Sequence, residues 1–349
     1  MKKNLFFVGI AAAAMLVSCS NDETVEMPQS KAISFNNAFV NNGTRSVVDP
    51  SFTKATLGDF AVYGFTQNGQ IFDGQLVKSS DEGNTWTYTP QQYWVKGNQY
   101  AFGAIAPANT TVTNEQLLGS SVSDYKVGME VSFTNNGETD LLHATAIPVD
   151  VNSSFMENAI DPVSFTFNHQ LAKVKFSFEN NVGAAYNIKV TNVKITNAYK
   201  TGTLTVSINK DNAWSNISDK TLELNFGAAG TTDEFTAASI ENAAEGETYH
   251  EKLIIPTAST ESYNVTFTVE LLNGTISMGI YNHTTTIKGV ELKLGYCYDF
   301  KASLTAENIV VDPEDPDAQL KPIEFMVDKI EEWNESDKDQ TVDVPTVSE

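Results

Sequence analysis

Two residues stand in surroundings that fit a defined covalent reaction. Cys19 closes the run Leu16-Val17-Ser18-Cys19, in which a small residue precedes a thiol at the end of an apolar stretch. Lys2 and Lys3 supply a positive start, and Leu5 to Val17 is too short to span a bilayer as a mature helix. Charge, length and the closing Cys read together as a bacterial lipobox. Residues 1–18 would be removed as a signal peptide and Cys19, carrying diacylglycerol, would become the first residue. The second is Arg45, the single arginine beside twenty-one lysines, in Asn41-Asn42-Gly43-Thr44-Arg45-Ser46. A Gly/Asn loop after a strand-like segment is where an exposed, protease-accessible bond is expected. Composition alone assigns it no further role.

Other reactive groups form no catalytic pattern. His143, His169, His250 and His283 are scattered along strand-like runs, where a hydrogen-bonded structural imidazole is the expected state. With Cys19 acylated, Cys297 is the one remaining thiol. The alternation Leu292, Leu294, Tyr296, Tyr298, Phe300 puts Cys297 on the opposite face, with no His within ten residues, so it reads as a plain strand thiol. No Gly-x-Ser-x-Gly, His-Glu-x-x-His, Walker A or dinucleotide glycine pattern occurs. A glycosidase would need two convergent carboxylates, whereas abundant acids in an acidic chain read as solvated surface. The acids of Asp312 to Asp317 lack the turn glycine of a calcium loop and are stiffened by Pro313 and Pro316. The chain is therefore read as a non-enzyme without metal or cofactor. The aromatics Trp86, Tyr88, Tyr93, Trp94, Tyr100 and Phe102 could stack sugars, but are better read as core around a turn at Lys96-Gly97-Asn98.

The elements behind these residues are strands. Of 349 residues, 44 are acidic and 22 basic, a net charge of −22 that repels nucleic acid. Loss of residues 1–18 removes two lysines and no acid, giving −24. Apolar residues alternate at Phe60/Val62, Tyr100/Phe102/Ala104, Val163/Phe165/Phe167, Val174/Phe176/Phe178 and Val265/Phe267/Val269/Leu271. Asn68-Gly69 and Asn273-Gly274 sit between such runs as hairpin turns. Only Glu115–Leu118 and Phe235–Ala244 suggest short helices. The expected class is all-β, as two antiparallel β-sandwich domains in tandem. The expected division is a tether at 19–30, an N-terminal sandwich at 31–150, a C-terminal sandwich at 160–333 and an acidic tail at 334–349. Ile323, Phe325 and Val327 announce a last strand running toward Trp333.

Several stretches, in order, give the chain a family likeness. They are the lipobox, Ile33-Ser34-Phe35, Thr44-Arg45, Gln92 to Phe102 ending in Ala106-Pro107, and Thr139 to Ala144. Then follow Phe165 to Val174, Leu253-Ile254-Ile255-Pro256, Gly295-Tyr296-Cys297-Tyr298, and a strand ending at Trp333. In this the chain resembles the fimbrillins, the type V pilins of Bacteroidota, and Ser20-Asn21-Asp22-Glu23 resembles their surface-export signal. The resemblance implies two transthyretin-like, Greek-key sandwiches and export as an outer-membrane lipoprotein, held to the membrane only through Cys19. It further implies an Arg-specific protease that cuts between Arg45 and Ser46. The released first strand would leave a groove for a strand of another fimbrial subunit. The donor would be Ile323 to Trp333 or the short Thr341 to Val347. A subunit with no usable donor would be a tip or accessory protein. A host or glycan ligand completes the implied partners, and a lipid-anchored glycan-binding protein is the alternative reading.

Overall fold

The computed structural model describes residues 31–40, 57–152, 160–183, 185–207, 212–226, 235–236, 238–239, 251–310 and 321–332. Cys19, Arg45, Ser46, His250, Asp312 to Asp317 and the tail from 333 lie outside these residues. In chain order the first strands are β1 Phe35–Val40, β2 Phe60–Thr66, β3 Gly69–Val77, β4 Gln99–Ala106, β5 Thr111–Leu118, β6 Lys126–Thr134, β7 Leu142–Thr145, β8 Val149–Asp150, β9 Val163–His169 and β10 Ala172–Asn180. They continue as β11 Asn187–Ala198, β12 Thr201–Val206, β13 Ala213–Ser218, β14 Leu222–Asn225, β15 Phe235–Thr236, β16 Ala238–Ser239, β17 Lys252–Ile254, β18 Ser262–Asn273, β19 Ile276–Lys288, β20 Tyr296–Leu304 and β21 Phe325–Glu332. A helix of four residues, Ala306–Ile309, and a 3₁₀ turn at Val122–Asp124 complete the described elements. The all-β reading holds. Glu115–Leu118 is strand within β5 rather than the helix its composition suggested, and of Phe235–Ala244 the described residues Phe235–Thr236 and Ala238–Ser239 are strand, the rest lying outside the described residues. Their backbones pair with β6, β11 and β10, and that tertiary pairing outweighs local preference.

The strands form four sheets in two sandwiches. In the first, the order β1-β9-β7-β4-β2-β3, with β8 on β4, packs against β13-β12-β6-β5. Tyr63, Phe65 and Ile105 of one sheet meet Val127, Val131, Leu204 and Val206 of the other. The second sandwich pairs β16-β10-β20-β21, with β17 on β10, against β14-β11-β18-β19, with β15 on β11. Its core joins Phe176, Tyr298 and Phe300 to Val190, Val265 and Phe267. Three pairings are parallel, namely β1 with β9 and β10 with β16 and β20. The sheets do not divide where the sequence suggested. β9 and the β12–β13 hairpin, all beyond residue 160, belong to the first sandwich, because β9 ladders onto β7 and β12 onto β6. Both Asn-Gly turns form hairpins, β2–β3 and β18–β19.

β2 and β4 are buried on both faces almost throughout. One face carries the inter-sheet core. The other carries Phe60, Val62, Tyr100, Phe102, Phe165 and Phe167, roofed by Leu57, Trp86 and Trp94 from connecting segments. A strand covered on both faces loses the polar half of its alternation, which explains the near-continuous apolar run of β4.

Candidate functional site

The start of the described chain is inserted into this second, roofed layer. Ile33 is fully buried and Phe35 is 4% exposed. Phe35 stacks on Phe165 at 5.8 Å and meets the edges of Phe72 at 5.7 Å and Phe102 at 6.2 Å, with Tyr88 at 5.3 Å. Hydrogen bonds hold the backbone on both sides. The Ile33 N–H donates to the Gln92 carbonyl and the Trp94 N–H to the Lys31 carbonyl, each at 2.9 Å. The Ile33 carbonyl accepts from Tyr88 Oη and from Gln91 Nε2, each at 2.8 Å. On the other side the Val163 N–H donates to the Ser34 carbonyl at 2.8 Å, where β1 begins its parallel ladder along β9 from Phe35 to Val40. β1 is the terminal strand of its sheet. Removing it would uncover an apolar slot lined by Phe72, Phe102 and Phe165, with one edge of β9 unpaired.

The candidate sugar platform is dismantled by the same packing. Trp86 is 7% and Trp94 2% exposed, and Tyr100 and Phe102 lie in the core. Tyr88 is half-buried and spends its hydroxyl on Ile33, so of the six aromatics Tyr93 alone is exposed. Trp94 sits edge-on against Tyr100 at 4.8 Å. The Tyr100 hydroxyl accepts the Val95 N–H at 2.9 Å across the turn at Gly97, where φ is +86°. The second sandwich repeats this corner, a feature the sequence analysis missed. Tyr298 accepts the Lys293 N–H at 2.8 Å, with Gly295 at φ +74°. In each corner the Tyr ring stacks on a Phe two residues on, Phe102 or Phe300. The shared signal, Gly-x-x-Tyr-x-Phe, stands in the sequence at Gly97 and at Gly295.

The last described strand, β21, is also a sheet edge and lies antiparallel on β20 from Phe325 to Glu332. Ile323 just before it is buried. Phe325 packs between Phe176, Phe178 and Phe267, and Met326 points outward at 69% exposure. The titratable interior is structural. His169 Nδ1 pairs with the Asp140 carboxylate in a buried contact. His143 Nδ1 takes Asn212 Nδ2 at 3.2 Å, and burial, with the Lys126 ammonium adding to it, pushes that imidazole down to about 3. Cys297 is a buried thiol on β20, and His283 stacks on Phe267 at 5.3 Å. Among the described residues no group of three or more His, Cys, Asp and Glu is arranged to hold a metal ion. No helix among them is long and apolar enough to cross a membrane.

The fold is similar to solved structures. A candidate cell adhesion protein from Bacteroides ovatus superposes with a TM-score of 0.50 at 18% identity, over 88% of this chain and 99% of that one. A fimbrial protein from Bacteroides vulgatus gives 0.48 at 15%, over 87% and 99%. A candidate polysaccharide-binding protein from Bacteroides thetaiotaomicron gives 0.38 at 13%, over 79% and 92%. At these identities the likeness concerns fold alone. No curated protein matches the chain. The sequence pattern of the fimbrillin-like family matches residues 44–314, a span that starts after β1 and stops before β21. With well over half of its length inside that match, the chain belongs to the fimbrillin-like family.

Proposed function

We propose that this fimbrillin-like chain, whose family carries a fimbrial or cell-surface adhesion role, is a structural subunit of a surface fimbria assembled by strand exchange. It is exported as a lipoprotein acylated on Cys19 and held at the outer membrane by that lipid. An Arg-specific protease then cuts between Arg45 and Ser46, and the segment ending at Arg45 leaves with Ile33 and Phe35. A strand of another subunit takes their place, and repetition of this head-to-tail contact builds a filament. The observation that carries the reading is the segment leading into the edge strand β1, where Ile33 and Phe35 fill a roofed aromatic slot. Burying Ile33 and Phe35 contributes roughly 1.5–3 kcal/mol each, which any replacement strand would have to match with similar residues. β21 is the described candidate donor, since it too is an edge and presents Phe325, Val327 and Ile330 on one side. The division into two tandem sandwich domains, one accepting and one donating, belongs to the same proposal.

The alternative, a lipid-anchored glycan-binding protein, would be favoured by exposed Trp86 and Trp94, and both are buried. Arg45→Ala separates the two. Under strand exchange the variant reaches the surface as a lipidated monomer and forms no fimbriae. Unchanged fimbriae, or unchanged surface function without cleavage in the parent chain, would favour the alternative.

A further inference from the structure

Ile-x-Phe occurs at two places in the sequence, Ile33-Ser34-Phe35 and Ile323-Glu324-Phe325. Each opens an edge strand, since β1 starts at Phe35 and β21 at Phe325, and each strand is the last of its sheet. Burial follows the same order. Ile33 and Ile323 are buried, and the residue after each, Ser34 or Glu324, is exposed. A side-chain hydroxyl catches each Ile carbonyl. Tyr88 Oη donates to that of Ile33 at 2.8 Å, and Thr285 Oγ1 to that of Ile323 at 2.6 Å. Each Phe enters a nest of rings, Phe35 among Phe72, Tyr88, Phe102 and Phe165, and Phe325 among Phe176, Phe178 and Phe267. The strands are then bulged at the same distance from the Ile. β1 gains one residue on β9 between Asn36 and Phe39, and β21 gains one on β20 between Val327 and Lys329. The neighbours run in opposite senses, β9 parallel to β1 and β20 antiparallel to β21, so the likeness belongs to the entering segments themselves.

We infer that the slot filled by Ile33 and Phe35 selects Ile-x-Phe, and that Ile323 and Phe325 of a second copy of this chain enter it in the register of Ile33 and Phe35. The occupant rests on the strand-exchange reading above, whereas the selectivity of the slot does not. In this register Glu324 takes the place of Ser34 and stays in solvent, so no charge is buried. A shift by one residue would put Glu324 among the rings and turn both apolar side chains outward. A shift by two would bring Phe325 or Lys321 to the place of Ile33, an overfilled site in one case and a buried charge in the other. The tail segment Thr341 to Val347 offers Val342 and Val344 two residues apart but no aromatic ring, so it matches the slot less well.

Two experiments separate the selectivity of the slot from the identity of its occupant, both in the full chain carrying Cys19→Ser. In the first, residues 323–330 replace residues 33–40. The thermal midpoint is expected to stay within about 3 °C of the parent, whereas residues 324–331 in the same place, one residue out of phase, should lower it by on the order of 10 °C. Equal midpoints for the two grafts, or a fall of that size for the first, would overturn the selectivity. The second experiment reads the occupant. Arg45 is the single arginine, so an Arg-specific endoprotease can open the slot at one bond. β9 pairs Ser164 with Asn36, so the inferred register sets the second copy's Met326 beside Ser164, about 4.8 Å away at Cα and within disulfide reach. Both positions are exposed. Cut Ser164→Cys chains mixed with uncut Met326→Cys chains should give, under mild oxidation, on the order of tenfold more linked heterodimer than with Glu324→Cys chains, two residues out of register. A higher yield with Glu324→Cys would overturn the register and leave strand exchange standing. No linked heterodimer with either partner would overturn the occupant and the exchange reading together, and the grafts would still report on the slot.

Discussion

The two sandwiches contain the same corner, but different parts of the chain lie beside it. In the first, Tyr100 closes the turn at Gly97, and the neighbouring position is taken by the start of the described chain, with Ala32 bridging Tyr93. In the second, Tyr298 closes the turn at Gly295, and that position is taken by an internal segment, with Thr257 bridging Leu292. The turn glycines are anchored alike, Gly97 N–H to the Val151 carbonyl at 2.7 Å and Gly295 N–H to the Leu171 carbonyl at 2.8 Å. One scaffold thus holds a strand that a single backbone cut N-terminal to β2 can release, and a strand that no single cut would free. Geometry at the corner does not decide which sandwich can open. Chain connectivity does.

The strongest way to break this comparison is to delete residues 1–45. The first sandwich then loses Ile33 and Phe35, and the expected cost in urea unfolding is on the order of 5 kcal/mol, with dye-binding apolar surface appearing. A chain that stays monomeric at full stability would show that β1 fills nothing essential. A finer contrast sets the two edge strands against each other. Phe35→Ala should cost about 3–5 kcal/mol, because its partners Phe72, Phe102 and Phe165 are themselves fixed in the core. Met326→Ala on β21, 69% exposed, should fall within about 0.5 kcal/mol.

Acid should act unequally. His143 in the first sandwich is buried and neutral, with its imidazole pushed from 6.5 down to about 3. The unfolded chain takes up a proton there that the fold refuses, so stability falls as pH drops below 6.5 and the loss is complete near 3. Unfolding midpoints at about pH 4 should show His143→Gln losing less stability than the parent, by on the order of 1–3 kcal/mol. His283→Gln in the second sandwich should change the acid slope less, because that imidazole is only partly buried. The smallest effect sharpens the likeness of the corners. Tyr100→Phe and Tyr298→Phe each remove one hydrogen bond to a backbone N–H and should cost about 1 kcal/mol apiece in thermal unfolding. Unequal costs would mean that the corners are alike in shape but not in load.

Much of this architecture was legible because it is local. Asn68-Gly69 and Asn273-Gly274 specify their hairpins within four residues, and alternation at Val163 to Phe167 marks β9 correctly. Which sandwich a strand joins was not legible. The β12–β13 hairpin lies between β11 and β14 of the second sandwich in sequence, yet β12 pairs with β6, about seventy residues earlier, through backbone bonds that any alternating strand could make. Glu115–Leu118 failed for the same reason, since β6 supplies the ladder that composition does not announce. The aromatic cluster was read as core, and Trp86 and Trp94 are core. That Tyr88 and Gln91 hold the Ile33 carbonyl depends on contacts across more than fifty residues, which no spacing records. Cys19 and Arg45 remain readings of the sequence, resting on the apolar run before one and the solitude of the other.

The central claim is that the first strand is removed from the mature subunit. The most direct measurement is the intact mass and N-terminal residue of the protein recovered from the native cell surface. The account predicts a chain that begins at Ser46 and carries no lipid. A chain that begins at acylated Cys19, with β1 still in its slot, would contradict it.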